Sequence, residues 1–351
     1  MSHPLPKGKE WDFRQSLAVL DARFARQPAE EILMPELRII DPHHHLVGRP
    51  HDVYLLEDFV RDLDTGHDIV ATMFVECSAM WKKDGPEELR PVGETEFANG
   101  IAAMAASGHY GKTLVNHGIV SYADLRLGDK VYAVLDAHIA AGNGRLRGIR
   151  NRAFFEPLVG EYGSLAPGDG LMRGAEFRKG LKRVAAKGLV YDSCQYHVQL
   201  PDFTDLARAV PEATLVLDHV SSPLGVAHYA SRKEEVFAHW TKWMRELSTC
   251  PNVYVKLGGL GMPFAGLGLN NRELPATSAE LAAAWKPFFW TAIEFFGANR
   301  CMFESNFPPD KQSGSYPVVM NAYKRIAAGA SKSEVQSLFF DTANAVYRLG
   351  L

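Results

Sequence analysis

The segment Asp41-Pro42-His43-His44-His45 places three imidazoles directly behind the short apolar run Leu37-Arg38-Ile39-Ile40. In an extended strand alternate side chains share a face, so His43 and His45 can point together while His44 points away. Such a pair suits two kinds of chemistry. Neutral imidazole is a common ligand for zinc, manganese and iron, and imidazole also titrates near neutral pH and so carries protons.

Other residues able to do chemistry recur at comparable places, each closing an apolar run: Glu76, Arg150 and Arg152, Gln195 and His197, His219, Lys256, and Glu304 with Asn306. Strict alternation gives Leu215, Leu217 and His219 a common face, and likewise Tyr191, Ser193, Gln195 and His197, and Met302, Glu304 and Asn306. Glu76 reads as a catalytic carboxylate or as a partner that holds a histidine tautomer. Lys256 and Arg152 read as substrate-binding groups or as counter-charges to nearby carboxylates, and Gln195 as a substrate-binding group. Cys77 and Cys194 also end strands, but no motif ties a histidine to either, so both read as apolar fillers.

The elements that must position these groups alternate along the chain. Eight short apolar runs, Leu37 to Ile40, Ile69 to Val75, Thr113 to Val120, Leu146 to Arg150, Leu189 to Ser193, Thr214 to Leu217, Val253 to Leu257 and Arg300 to Phe303, suit parallel strands covered on both faces. Between them lie stretches of helical periodicity at Glu94 to Ala106, Lys130 to Ala141, Ala175 to Ala186, Arg232 to Leu247, Ala279 to Phe296 and Ser331 to Arg348. The pattern predicts a (β/α)8 TIM barrel over residues 37–351, with a doubly wound sheet as the alternative architecture. Residues 1–36 read as an appended arm with a helix over Phe13 to Arg26. Three long connections, Ser78 to Gly93, Phe155 to Leu171 and Gly258 to Ser278, follow strands and are expected to wall the site; the glycine-rich third reads as a flexible lid rather than a phosphate loop.

With 46% hydrophobic residues, 23% charged residues and a net charge of −3, the 351-residue chain has an ordinary globular composition and no basic field for nucleic acid. It shows no signal-peptide core and no run of membrane-spanning length, so a cytoplasmic protein with a small-molecule substrate is expected. The four cysteines lie far apart and suggest free thiols. A homo-oligomer stays open.

Several motifs in register resemble the amidohydrolase superfamily, in the branch known as amidohydrolase family 2, which includes sugar lactonases and pyrone-dicarboxylate lactonase. They are Ile40-Asp41-Pro42-His43-His44-His45-Leu46, Arg147-Gly148-Ile149-Arg150, Leu215-Val216-Leu217-Asp218-His219-Val220, Asn252 to Leu260, and Cys301 to Pro308. The resemblance spans about Leu37 to Leu349. It implies a barrel hydrolase that attacks a carbonyl, most often of a lactone, carboxylated or derived from a sugar. His43, His45 and His197 would hold a divalent metal, zinc by preference, or contact the carbonyl directly. His219 would be the catalytic imidazole, and Arg150 the cation for a substrate carboxylate or polarised carbonyl.

One departure stands out. Family members commonly carry Gly-Ser-Asp-Trp-Pro at the eighth strand, with that Asp as general base, whereas this chain reads Glu304-Ser305-Asn306-Phe307-Pro308. An amide accepts no proton at neutral pH. Glu304, His219, Glu76 or a metal-bound water could take over, and His219 is the preferred choice, with Asn306 orienting water or substrate. The departure keeps two other outcomes open: a metal-dependent decarboxylase of an aromatic or unsaturated acid, and an inactive barrel that binds a ligand.

Overall fold

The computed structural model describes residues 17–49, 52–162, 166–270 and 272–351. Eight parallel strands form one sheet: β1 (Arg38–His44), β4 (Asp68–Val75), β5 (Leu114–Ser121), β6 (Leu146–Arg152), β7 (Val190–Cys194), β8 (Leu215–Leu217), β9 (Val253–Leu257) and β10 (Cys301–Phe303), adjacent in that order. A small antiparallel hairpin, β2 (Val47–Arg49) with β3 (Asp52–Tyr54), leaves the end of β1. The sheet closes where the end of β1 meets the segment after β10. There the Asn306 N–H donates to the His43 carbonyl at 2.9 Å, and the His45 N–H to that of Phe307 at 2.7 Å. Asp41 fastens the seam by accepting from the Ser305 N–H at 2.9 Å and the Tyr316 hydroxyl at 3.1 Å. The result is the expected (β/α)8 barrel, with strands at all eight apolar runs.

Two apolar layers follow from the pleat. Ile39, Phe74, Ile119, Ile149, Tyr191, Leu215, Leu217 and Phe303 fill the space between sheet and helices, while Ile40, Ala71, Met73, Val75, Val120, Val190, Val216 and Met302 fill the bore. Bulky residues go outward because the helices leave wide grooves; the narrow bore takes mostly smaller ones. The amino ends of the strands are plugged by the C-terminal segment, which sends Phe340, Val346, Tyr347 and Leu349 into the inner layer.

Helices form at all six expected stretches, the last interrupted by a π-turn over Ser337–Asp341. Three more, Leu56–Leu63, Leu200–Ala209 and Tyr316–Ile326, carry no prediction above. Within residues 1–36, the described part contains a helix at Leu17–Phe24; residues 1–16, and with them the start of the expected helix, lie outside the described residues. This arm is tied down by Arg23, which donates to the carbonyls of Asn270, Gln312 and Leu269, and by Lys324, which donates to those of Leu33 and Met34.

The first part of the connection, residues 258–269, is packed down where a flexible lid was expected. Leu260, Met262, Phe264, Ala265 and Leu269 are buried, and Phe264 packs against Phe154 and Tyr196. Its first glycines serve close approach. A Cβ on Gly258 would lie 2.4 Å from Cγ of Glu304, and one on Gly259, at φ +75°, 2.4 Å from Cβ of His219.

Candidate active site at the carboxyl ends of the strands

β1 delivers His43 and His45 to one side, with Nε2 atoms 3.2 Å apart, while His44 turns outward to stack on Phe59 at 4.0 Å. The His45 Nδ1–H donates to the Val75 carbonyl at 2.7 Å, which fixes its tautomer and leaves the Nε2 lone pair facing His43. Burial, with Arg150 nearby, pushes His45 down to about 3, and burial pushes His43 well below the usual histidine range, so both are neutral.

Glu304, at the end of β10, bridges two imidazoles. Its Oε2 lies 2.7 Å from His43 Nδ1, and its Oε1 accepts from His219 Nδ1–H at 2.6 Å and from the His219 backbone N–H at 3.1 Å. Burial raises the Glu304 carboxyl, but His219 and His43 outweigh that and hold it at about 2. In return, against the lowering effect of burial, Glu304 and Cys194 lift His219 well above the ordinary range. With Nδ1 spent on Glu304, His219 also meets the Cys194 thiol, beside it in the wall of the cleft.

His219 arrives by a route that alternation does not describe. Leu215 and Leu217 face outward and Val216 inward, so the expected shared face is the wrong one. The imidazole reaches the site because His219, Val220, Ser221 and Ser222 all have positive φ, from 38° to 62°, and swing the chain over the strand end. Gln195 suffers from the same misphasing. It lies buried on the side of Tyr191 and Ser193, accepts from the Ser193 hydroxyl at 2.6 Å, and does not line the cleft. The inward residues of these strands are ones that went unremarked: Asp192 and Asp218.

Glu76 is consumed by guanidinium groups. Arg150 Nε donates to its Oε1 at 2.9 Å, Arg152 donates to Oε1 at 3.1 Å and to Oε2 at 2.6 Å, and a second Arg150 amine donates to its backbone carbonyl. Burial raises Glu76, but the two arginines dominate and hold it at about 2. A carboxylate so clamped is no proton acceptor, which corrects both expected roles: it holds arginines rather than a histidine tautomer. Lys256 is also corrected. It is fully buried beneath the site, 2.6 Å from Asp192, 3.2 Å from Asp218 and 3.2 Å from His43 Nδ1, with Tyr347 donating to Asp192 at 2.7 Å from below. It underpins His43, pairs with carboxylates as the alternative reading had it, and does not line the cleft.

Above this charged floor opens a cleft of about 600 Å3, counting its mouth. His45, His219 and Asn306 line it with Arg49, Arg150 and Arg152. Apolar walls come from Val47, Phe154, Met262 and Pro309, and from both Cys77 and Cys194. The Arg49 side, on the β2–β3 hairpin, carried no sequence signal.

Comparison with known proteins fits this geometry. The Amidohydrolase family profile, Amidohydro_2, matches residues 40–349. The chain belongs to the amidohydrolase family. This amidohydrolase is 32% identical to the uncharacterized protein y4mH of Sinorhizobium fredii, covering 90% of this chain and 100% of that one. It is 30% identical to L-fucono-1,5-lactonase of Burkholderia multivorans, over 66% of this chain and 71% of the other. An amidohydrolase from Burkholderia multivorans crystallised with bound zinc shares the fold with a TM-score of 0.66, at 24% identity, over 88% of this chain and 99% of that one.

One place in this amidohydrolase where the donor spacing fits a divalent ion is the imidazole pair that β1 delivers. Two ligands of a tetrahedral zinc stand roughly 3.3 Å apart for bonds of about 2.0–2.1 Å, and the Nε2 atoms of His43 and His45 are 3.2 Å apart. The anchored Nδ1–H of His45 is the outer hydrogen bond expected of a ligating imidazole. His197, the expected further ligand, stands apart. Its Nδ1 accepts from the Leu224 N–H at 3.4 Å and its ring packs edge-on to Tyr229 and His239. It does not line the cleft, and among the described residues it joins no cluster of metal-ligating groups. Among the described residues the clusters of metal-ligating groups are His43 with His219 and Glu304, the last on the Nδ1 edge of His43, and Cys194 with Asp218 and His219; His45 joins neither.

Proposed function

We propose that this amidohydrolase opens a lactone by attack of water on the ring carbonyl, with His219 as proton carrier. The observation that carries the reading is Glu304 gripping His219 Nδ1 at 2.6 Å inside a cleft lined by His219 itself. A carboxylate on Nδ1 keeps that nitrogen protonated and makes the other nitrogen more basic. The neutral His219 ring takes a proton from water as the water oxygen bonds to the carbonyl carbon. When the ring C–O bond breaks, the same proton passes to the leaving alkoxide, giving the hydroxy acid. Arg150, immobilised by Glu76 and 3.3 Å from His43, presents fixed positive charge to the developing oxyanion. A divalent ion, when bound, would be held by His43 and His45 and would supply Lewis acidity to the carbonyl oxygen.

Three arginines face the cleft; Glu76 pairs with Arg150 and Arg152 and Asp218 lies 3.5 Å from Arg150, so among the described residues Arg49 is the cleft arginine without an ion pair, which favours a lactone bearing a carboxylate or dense hydroxyl acceptors. L-fucono-1,5-lactone and carboxylated lactones are therefore the first substrates to try, with ring opening followed by proton release in weakly buffered solution. Replacement of His43 and His45 together by Ala is expected to abolish turnover while leaving the fold intact. Carbon dioxide release from aromatic acids without lactone opening overturns the proposal in favour of decarboxylation, and tight ligand binding without any product overturns it in favour of an inactive barrel.

A further inference from the structure

Asn306 occupies the place where a general-base carboxylate is expected, and four residues later Asp310 is fully buried. The two side chains are joined: Asn306 Nδ2 donates to Asp310 Oδ1 at 2.9 Å. Ionised, the Asp310 carboxyl only accepts, and the bond then decides which end of the amide is which. The nitrogen is turned to Asp310, and the carbonyl oxygen Oδ1 is the end left for the cleft that Asn306 lines. The backbone around the pair is equally fixed. Asn306 sits at φ +49°, a region Asn tolerates, its N–H is spent on the His43 carbonyl at 2.9 Å, and the Asp310 N–H returns to the Asn306 carbonyl at 3.0 Å. Asp310 Oδ2 accepts from the Gly261 N–H at 3.2 Å, and the Ser313 hydroxyl donates to the Gly261 carbonyl at 2.5 Å. A Cβ on Gly261 would come within 2.9 Å of Asp310. Among the described residues no Lys or Arg forms an ion pair with Asp310, and burial outweighs its hydrogen bonds and the nearby His219, pushing its carboxyl up to about 7.

We propose that Asp310 is a positioning residue that locks the Asn306 amide with its oxygen toward the cleft, where it accepts a hydrogen bond from the attacking water and aims that water's other proton at His219. This division of labour replaces a single carboxylate by two neutral steps: the amide orients and the imidazole takes the proton. It also ties the wall segment carrying Met262 to the eighth strand through Gly261. The water-orienting part rests on the hydrolytic reading above; the lock itself does not.

The test uses the full chain with Asp310→Ala, Asp310→Asn, Asn306→Asp and the exchange variant Asn306→Asp/Asp310→Asn. In proton–nitrogen correlation spectra the side-chain amide of Asn306, assigned by its loss in Asn306→Asp, is expected to exchange slowly in the wild type and at least about tenfold faster in Asp310→Ala, as for a freed amide. With L-fucono-1,5-lactone as probe, Asp310→Ala is expected to lower kcat by roughly 10–100-fold with little change in KM, the cost typical of losing an outer orienting partner. The exchange variant, which restores the bond in reverse, is expected to recover most of that loss. Unchanged amide exchange in a folded Asp310→Ala overturns the lock. An exchange variant no better than its single parents, with the same melting temperature, overturns the water-orienting role. A wild type inert toward the probe while its Asn306 amide stays protected refutes the lactone reading and leaves the lock standing.

Discussion

Glu76 and Glu304 end strands on different sides of the barrel, both are fully buried, and both are held at about 2, yet they do different work. Glu76 is gripped by two guanidinium groups and Glu304 by two imidazoles. Guanidinium never gives up its proton in the working range, so the Glu76 side is a fixed electrostatic scaffold. Imidazole does, so in the proposed mechanism the Glu304 side is where protons move. The partner, rather than the carboxylate, decides the role.

The sharpest way to break this comparison is to remove charge without changing shape. Glu304→Gln keeps the volume but loses the charge and leaves one acceptor oxygen where two imidazoles need one each, and kcat is expected to fall by on the order of 10^3–10^4-fold, as when the carboxylate behind a catalytic histidine becomes an amide. Steady-state kinetics beside a circular dichroism spectrum checks it. A fall of less than tenfold would put the proton elsewhere. Glu76→Gln acts first on stability, because it strands two buried arginines. A loss of roughly 3–5 kcal/mol is expected from breaking a buried ion pair on one side, read from urea unfolding.

Dependence on pH separates the two sides further. Glu304 is depressed, so its contribution is present above its unfolded value of about 4.5 and is lost as pH falls toward about 2. His219 is raised, so its contribution is complete below about 6.5 and is lost as pH climbs through its folded value. The Glu304 pair therefore has an acid arm and an alkaline arm. Glu76 has the acid arm alone, since its arginines do not titrate. Urea midpoints between pH 6 and 9 should decline more steeply in wild type and Glu76→Gln than in Glu304→Gln. Equal slopes in all three would erase the distinction. The same raised His219 places the rise of kcat on the alkaline side of pH 6.5.

Much of the barrel was legible, because parallel strands buried on both faces must be apolar throughout and so announce themselves as short runs. The histidines of β1 were legible as well, since His43 and His45 follow simple alternation. What failed was phase. In β7 and β8 the larger residues Tyr191, Leu215 and Leu217 face the helices, and the inward charged residues Asp192 and Asp218 were overshadowed by neighbours with more evident chemistry. Nor could alternation foresee four successive positive φ values at His219 to Ser222, which depend on Gly259 standing against that ring. Gly258 and Gly259 suggested a flexible segment, whereas their missing Cβ atoms admit Glu304 and His219. Asp310 and the Arg49 side of the cleft depend on contacts between distant segments and left no local pattern.

The smallest effect belongs to His197, which the family resemblance alone grouped with His43 and His45 as a metal ligand. Burial and the nearby His239 push it down to about 3, so it is neutral, and its polar contact is a long bond from Leu224. It touches neither Glu304 nor Glu76 and lies outside the cleft, so neither the scaffold nor the relay contains it. His197→Ala is expected to keep kcat within about threefold of wild type. Its cost falls on stability instead, about 1–3 kcal/mol for the Leu224 N–H left without an acceptor. His197→Gln, which can still accept from that N–H, should recover part of the stability and change kcat no further. A hundredfold loss of kcat in both variants, with metal content falling alongside, would instead join His197 to His43 and His45 and move the functional boundary from the Glu304 pair to the whole ring of imidazoles.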